Sequence, residues 1–169
     1  APHIDGFAER VVHKLNTEAP ANTRVFISRD LRKNDLFKNG LEARGCNVVG
    51  CSLIDISQTP IRKYTKADWV FFSSKHAVRH FMQQRPDVEG CRFATVGKAT
   101  AEELRKFGKR ADFIGDADDT RMTGKKFAAM AGSKTILFPQ AKESMRTIQL
   151  QVPSKSQVID LIVYETIKK

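Results

Sequence analysis

From Thr23 onward, short apolar segments alternate with segments in which apolar residues recur every three or four positions. The first kind predicts β-strands and the second predicts amphipathic α-helices. Strands that are connected through helices run parallel, so the alternation predicts an α/β fold in which helices cover parallel sheets. Gly45 and Gly108 are predicted to end two of the helices. Strands are predicted over 24–28, 48–56, 69–72, 92–96, 112–114, 135–138 and 158–164, and helices over 34–44, 75–84, 99–107, 120–131 and 143–151.

A break at Thr59-Pro60 divides this pattern into two lobes. Residues 23–57 are predicted to form the first part of lobe 1, with too few strands and helices to bury a core alone. Residues 58–158 are predicted to form lobe 2, a complete α/β domain. Before Thr23, residues 1–22 are predicted to form an amphipathic helix followed by a linker.

The composition argues against several classes of protein. No apolar run approaches the roughly 20 residues that a membrane helix needs, and the first residues lack the apolar core of a secretory signal. The three cysteines are odd in number and form no Cys-x-x-Cys pair, which argues against a disulfide framework or a structural zinc site. Reduced thiols in a cytoplasmic protein are therefore expected.

A net charge of +10 favours an anionic partner. Nucleic acid is the first alternative, but the basic residues are dispersed, and no helix-turn-helix, RNP-type strand or zinc finger is present. We therefore predict no nucleic-acid partner. A small polyanionic ligand and a merely solubilising surface charge both remain open.

Polar segments that contain a cation follow four of the predicted strands. They are Ser28-Arg29-Asp30, Ser73-Ser74-Lys75-His76, Gly97-Lys98-Ala99-Thr100 and Pro139-Gln140-Ala141-Lys142. Carboxyl ends of parallel strands meet at one edge of a sheet, where α/β proteins bind ligands. The serines are typical of helix caps, and free N–H groups at a capped helix end also bind carboxylates. The sequence thus predicts a polyanion site at this edge.

Other chemistry finds little support in the residues. The segment Val96-Gly97-Lys98-Ala99-Thr100 lacks the glycine spacing of a phosphate-binding loop, and no dinucleotide-binding glycine motif occurs. His76 and His80 have the spacing of a pair of metal ligands, but the sequence has no third ligand at a spacing typical of a metal site. We therefore predict no metal and no organic cofactor. Tyr164, at the end of an apolar strand, is by itself typical of a packing tyrosine.

Four motifs nevertheless occur in a distinctive order. They are Phe72-Ser73-Ser74-Lys75-His76-Ala77-Val78, Val96-Gly97-Lys98-Ala99-Thr100-Ala101, Leu137-Phe138-Pro139-Gln140 and Val163-Tyr164-Glu165-Thr166. In order and spacing they resemble the uroporphyrinogen-III synthase family, over about residues 24–167. One small departure is Ser73, where the family usually has threonine.

The resemblance implies two flavodoxin-like three-layer α/β/α lobes joined by a two-stranded linker, with residues 159–169 as the strand that returns toward lobe 1. It also implies a reaction without metal or organic cofactor. Hydroxymethylbilane, a linear tetrapyrrole polycarboxylate, loses water and closes with inversion of ring D to give uroporphyrinogen III for heme biosynthesis. A monomer is expected, and a partnership or fusion with hydroxymethylbilane synthase is an open alternative for the amino-terminal segment.

Carried onto this chain, the resemblance implies that Tyr164 assists departure of the hydroxyl as donor of a proton or hydrogen bond. It implies substrate contacts from the hydroxyls of Ser74 and Thr100, and from backbone N–H groups at 73–76 and 97–101. Further charged or polar candidates for contact with the substrate are chosen by their position at the strand ends. No family motif supports these additional residues. The substrate-binding candidates are Arg29, Ser73, Ser74, Lys75, His76, Gly97, Lys98, Ala99, Thr100, Gln140, Lys142 and Arg146.

One departure from the family pattern leads to an alternative. The family continues past Val-Tyr-x-Thr with a segment that completes lobe 1, whereas this chain stops at Lys169, so lobe 1 is expected to be incomplete. The alternative prediction is a non-catalytic or truncated α/β module that binds a polycarboxylate at its strand ends.

Overall fold

The computed structural model describes residues 23–169, so the predicted helix and linker of residues 1–22 lie outside the described residues. The chain divides into two compact units. One unit runs to Asp55 and includes Lys168–Lys169, and the other is Ile56–Ile167. Within the described residues, no helix has the length and apolar character needed to cross a membrane.

The first unit contains a β-α-β element. Strands β1 (Arg24–Ile27) and β2 (Asn47–Gly50) pair in parallel, and helix α1 (Leu36–Glu42) lies between them in the chain. The side chain of Asp35 caps α1 by accepting a hydrogen bond from the backbone of Lys38 at 3.1 Å. Gly45 follows α1 with a φ of 77°, which confirms the predicted helix end. The buried residues of this element are Leu41, Cys46 and Val48.

The second unit is built on a six-stranded sheet in the order β3-β8-β7-β4-β5-β6, in which the five strands from β8 to β6 pair in parallel. Its strands are β3 (Ile54–Gln58), β4 (Trp69–Phe72), β5 (Arg92–Thr95), β6 (Phe113–Ile114), β7 (Thr135–Ala141) and β8 (Gln157–Lys168). Its helices are α2 (Lys75–Met82), α3 (Lys98–Arg105) and α4 (Thr120–Ala131).

Strand β4 lies in the middle of the core, because helices cover both faces of the sheet. All four of its side chains are 0% exposed, as expected for a parallel strand that is buried on both faces. Phe72 packs with Phe81 of α2 on one face, with ring centroids 5.7 Å apart. Phe71 packs with Phe127 of α4 on the other face, at 4.8 Å. The α/β prediction is therefore confirmed.

The predicted single strand over 48–56 is wrong, because the chain forms β2 and β3 with a break between them. At the break, the backbone N–H of Ser52 donates to the side chain of Asp30 at 3.0 Å, and its hydroxyl donates to the carbonyl of Ile54 at 2.7 Å. These side-chain hydrogen bonds engage backbone groups that would otherwise pair in the ladder of a sheet.

Two further elements differ from the prediction between 138 and 151. The predicted helix over 143–151 is wrong, since only a 3-10 turn at Gln149–Gln151 forms. Arg146 has a φ of 55°, in the left-handed region that interrupts a right-handed helix. Strand β7 continues through Pro139, because its pairing with β4 ends at Leu137 and needs no N–H from the proline.

Candidate active site

The polar segments that follow β4 and β5 meet at one edge of the sheet. These two strands are adjacent and parallel, and each leads directly into a helix, α2 from Lys75 and α3 from Lys98. The first turns of both helices therefore lie at the carboxyl edge of the sheet, where α/β folds form ligand sites.

Ser74 links α2 to Tyr164 of β8. Its Oγ accepts a hydrogen bond from the backbone N–H of Ala77 at 3.0 Å, which confirms the predicted helix cap. The same oxygen lies 3.2 Å from the phenol oxygen of Tyr164, and either hydroxyl has the geometry to donate. Two of the three hydroxyls to which the family resemblance gives a role, those of Ser74 and Tyr164, are thus in direct contact.

A β-bulge directs Tyr164 toward this contact. In the pairing of β7 with β8, Gln140 stands opposite Ile162, but the next residue, Ala141, stands opposite Tyr164. Val163 is therefore an extra residue in β8, and both Val163 and Tyr164 join the hydrophobic cluster on the α2 face. A bulge re-aims side chains in this way and is frequent beside active sites. Tyr164 is 9% exposed, so its ring is held by packing.

His76 and His80, one turn apart on α2, lie beside the ring of Tyr164. The centroid of the Tyr164 ring is 6.0 Å from that of His76 and 5.4 Å from that of His80. Burial, reinforced by the charge of Arg79, lowers the pKa of both imidazoles, which favours their neutral form. Among the described residues no group of three or more His, Cys, Asp or Glu side chains has the arrangement of a metal site.

The first turns of α2 and α3 carry an unusual charge. Each helix starts with a lysine and has no acidic residue in its first turn, although the helix dipole favours acidic side chains there. Lys75 and Lys98 are exposed and form no ion pair with the described residues. Two helix ends of this kind create a positive potential suited to carboxylates.

Gly97 caps α3 without a side-chain hydrogen bond. Its backbone is extended, and a Cβ at this position would lie 3.0 Å from the Cβ of Ala117. The position therefore demands a small residue, and it leaves the first N–H groups of α3 without a capping side chain. Ala99 is exposed in this turn, whereas Thr100 is 5% exposed.

Other predicted site residues are engaged within the protein. The side chain of Gln140 is buried and accepts a hydrogen bond from Gln149 at 2.7 Å. Lys142 pairs with Glu165 at 3.2 Å, and Arg146 pairs with Asp160 at 2.8 Å. Arg29 belongs to the first unit, where it pairs with Asp35 at 2.6 Å. The role of each of these residues in substrate binding stays a prediction.

Ser73 is exposed and lines a cavity of about 220 Å³ at the carboxyl edge of the sheet. The cavity extends between Val96, the start of α4 and residues 144–149, the segment in which the predicted helix does not form. The irregular backbone around Arg146 thus shapes one side of the edge, whereas the periodicity of residues 143–151 had predicted a helix there.

Replacing Ser74 by alanine is expected to lower the free energy of unfolding by about 1 kcal/mol, because α2 loses its cap. Urea denaturation measures the change. Ser73→Ala is the matched control, since Ser73 is exposed and caps no helix, and its effect is expected to stay within about 0.5 kcal/mol. Equal losses in the two variants would contradict the specific role of the Ser74 hydroxyl.

Known proteins provide a comparison for this architecture. Residues 35–169 match a family model described as uroporphyrinogen-III synthase HemD. A mutant uroporphyrinogen III synthase from Thermus thermophilus has a similar structure, with a TM-score of 0.63 at 16% identity, over 87% of this chain and 64% of that chain. The uroporphyrinogen-III synthetase of Helicobacter pylori gives a TM-score of 0.61 at 15% identity, over 88% of this chain and 63% of that chain. No curated protein matches at a significant level.

The chain therefore spans less than two thirds of the length of either solved structure. At these identities the structural likeness shows the fold alone. The family model, in contrast, covers most of the chain and includes every candidate residue of the second unit.

Proposed function

Because the chain belongs to the uroporphyrinogen-III synthase family, we propose that it cyclises hydroxymethylbilane to uroporphyrinogen III, with loss of water and inversion of ring D. The observation that carries this proposal is the contact between Ser74 and Tyr164 at the carboxyl edge of the sheet. Hydroxymethylbilane is the proposed substrate, and neither a metal nor an organic cofactor has a role in the proposed reaction.

The charge at this edge supports a polycarboxylate as the ligand. Lys75 and Lys98 begin α2 and α3, so each lysine and its helix dipole attract the same anion. The uncapped N–H groups after Gly97 are further donors to a carboxylate. Lys142 and Arg146 contribute less on this view, because each already pairs with an acid.

The hydrogen-bond pattern supports Tyr164 as the proton donor. Ser74 Oγ accepts from the N–H of Ala77, and its own proton is available to the phenol oxygen. When Ser74 donates to the phenol oxygen, the phenol proton remains available for transfer to the hydroxyl of the substrate. The C–O bond of the substrate then breaks, and water leaves. Inversion of ring D then requires its substituted α-carbon to form a C–C bond to the carbon that lost the hydroxyl. The older C–C bond at that α-carbon breaks and re-forms at the free α-carbon of ring D, which releases one proton and restores the phenol.

The remaining part of the barrier is conformational. Hydroxymethylbilane is a flexible chain whose two ends must meet. A site that holds the chain folded lowers the entropic part of the activation barrier. The edge of the sheet offers two adjacent helix ends at fixed spacing for this purpose. Carboxylate contacts at both ends would fix the pose, and Tyr164 would then act on the hydroxyl.

Product analysis tests the proposal. The chain is given fresh hydroxymethylbilane, the products are oxidised, and the uroporphyrin isomers I and III are separated. Unassisted closure gives isomer I, so we expect isomer III well above a control without protein. Isomer I alone, at every protein concentration, would contradict the proposed activity and favour a module that only binds the polycarboxylate.

Finer features of the family are proposed as well. We propose two flavodoxin-like lobes with β3 and β8 as the linker, since these strands are neighbours in the sheet and each crosses the boundary between the two units. A monomeric state, a cytoplasmic location and a partnership with hydroxymethylbilane synthase remain predictions. Size-exclusion chromatography with light scattering checks the first of them.

A further inference from the structure

We propose that His80, with His76 beside it, is a positioning residue for Tyr164: the two imidazole rings fix the orientation of the phenol. The catalytic part of this inference rests on the proposed function. The effect of the histidines on the orientation of the Tyr164 ring can be measured without turnover. Family resemblance did not point to either histidine in this role, and the sequence offered their spacing only as a weak metal pair.

The geometry places three rings in mutual contact. The planes of His80 and Tyr164 differ by 30° at a centroid distance of 5.4 Å, within the range of offset aromatic packing. His76 stacks with His80 at 6.5 Å and 17°, and it approaches the phenol at 6.0 Å. Ser74 holds the hydroxyl end of Tyr164, and the imidazoles hold its ring.

The histidines sit on a firmly held helix. The Nε2 of Gln84 donates to the carbonyl oxygen of His80 at 2.7 Å and to that of Thr59 at 3.1 Å, which ties the end of α2 to the loop before β4. Arg79 ties α2 to α3 through Glu103. A site on a helix that is anchored at several points positions its side chains accurately.

The environment of the pair favours neutral rings. Burial is the main cause that lowers the pKa of both imidazoles, and Arg79 of α2 acts in the same direction. At His76 the charge of Lys75 adds to this effect, and Glu103 of α3 opposes it. Tyr164 packs against the pair from β8. The Nδ1 of His80 is buried without a hydrogen-bond partner among the described residues, so a charge on this ring has no nearby acceptor there. Because the folded-state pKa lies below the unfolded value, the neutral pair supports folding above about pH 6.5 and loses that support as the pH falls.

Tyrosine NMR tests the proposal without turnover. The protein contains two tyrosines, so labelling the phenol Cζ gives two signals, and Tyr164→Phe assigns them. Tyr64, whose ring contacts Phe81 and whose hydroxyl donates to the carbonyl of Asp87, is the internal reference. We expect the Tyr164 signal to titrate below about pH 6.5 with the imidazoles and the Tyr64 signal to stay constant.

Two variants of His80 separate ring packing from charge. His80→Ala removes the ring, and we expect the Tyr164 signal to move toward that of a free tyrosine. His80→Phe keeps a ring and removes a buried polar atom, and we expect it to retain the Tyr164 signal at neutral pH while it loses the His80 step of the titration. An unchanged Tyr164 signal in a folded His80→Ala protein would overturn the proposal.

Steady-state kinetics of isomer III formation provides a second test of the positioning role. In His80→Ala we expect kcat for isomer III to fall about 10-fold to 100-fold while KM changes by less than about 2-fold, and we expect His80→Phe to recover part of the loss. A normal kcat in His80→Ala would overturn the positioning role. Absence of isomer III from the unmodified chain, with the NMR responses intact, would refute the proposed function and leave the ring positioning standing.

Discussion

Replacing Tyr164 by phenylalanine is expected to reduce the rate of isomer III formation by about 100-fold to 10,000-fold, the range for losing a general acid. The variant lacks only the phenol oxygen. The cap between Ser74 and Ala77 does not depend on that oxygen, and the ring still packs against His76 and His80. The loss is therefore expected in kcat, with unfolding by urea nearly unchanged.

The control for this experiment is Tyr64→Phe. The hydroxyl of Tyr64 donates to the carbonyl of Asp87, whereas the hydroxyl of Tyr164 contacts Ser74. We expect Tyr64→Phe to keep the isomer III rate. A Tyr164→Phe variant with a rate within about 2-fold of the unmodified chain would show that the proposed reaction depends on holding the substrate and needs no proton from Tyr164.

The second large effect is on stability and concerns Glu103 of α3. This carboxylate is 5% exposed and accepts hydrogen bonds from Arg79 of α2 at 2.5 and 3.1 Å and from Lys106 at 2.8 Å. These partners, Arg79 first, lower the pKa of Glu103 from 4.5 to about 2. We expect Glu103→Gln to lower the free energy of unfolding at pH 7 by about 2–3 kcal/mol, after allowing for solvent screening of the exposed partners.

The pH dependence has a definite sign. Because the folded-state pKa of Glu103 is depressed, its contribution to stability is complete above about pH 4.5 and disappears as the pH falls toward about 2. The difference between the unmodified chain and Glu103→Gln should therefore shrink over that window, as measured by urea denaturation at several pH values. Glu102→Gln is the matched control. Glu102 precedes Glu103 in α3, and its exposed carboxylate forms no ion pair with the described residues. A pH-independent difference would contradict the ion-pair explanation.

Local chemistry made much of the fold predictable. The continuous apolar run of β4 indicated a strand buried on both faces, and Gly45 and Gly108 marked helix ends that the structure forms with positive φ. The errors arose where one residue overrode the periodicity. The backbone N–H of Ser52 bonds to the side chain of Asp30 where a continuous strand was predicted, and the left-handed Arg146 stops a segment with helical spacing.

The site was less accessible to sequence reasoning for a topological reason. Ser74 and Tyr164 are 90 residues apart, and they meet only because β8 and β4 flank β7 in the sheet. The family resemblance nominated both residues without giving their contact. The spacing of His76 and His80 placed their rings on one side of α2, but nothing local revealed that this side faces Tyr164.

The extra residue at Val163 has a consequence for how related chains are judged. In a strand of regular alternation Tyr164 would point away from α2, toward the side of the sheet that α4 covers. A homologue of equal length that lacked the bulge would thus keep Val-Tyr-x-Thr in its sequence while losing the contact between its tyrosine and the serine at the start of α2. Sequence identity at the motif is therefore an insufficient criterion for inheritance of this site, and the register of the β7–β8 pairing at the tyrosine is the better one.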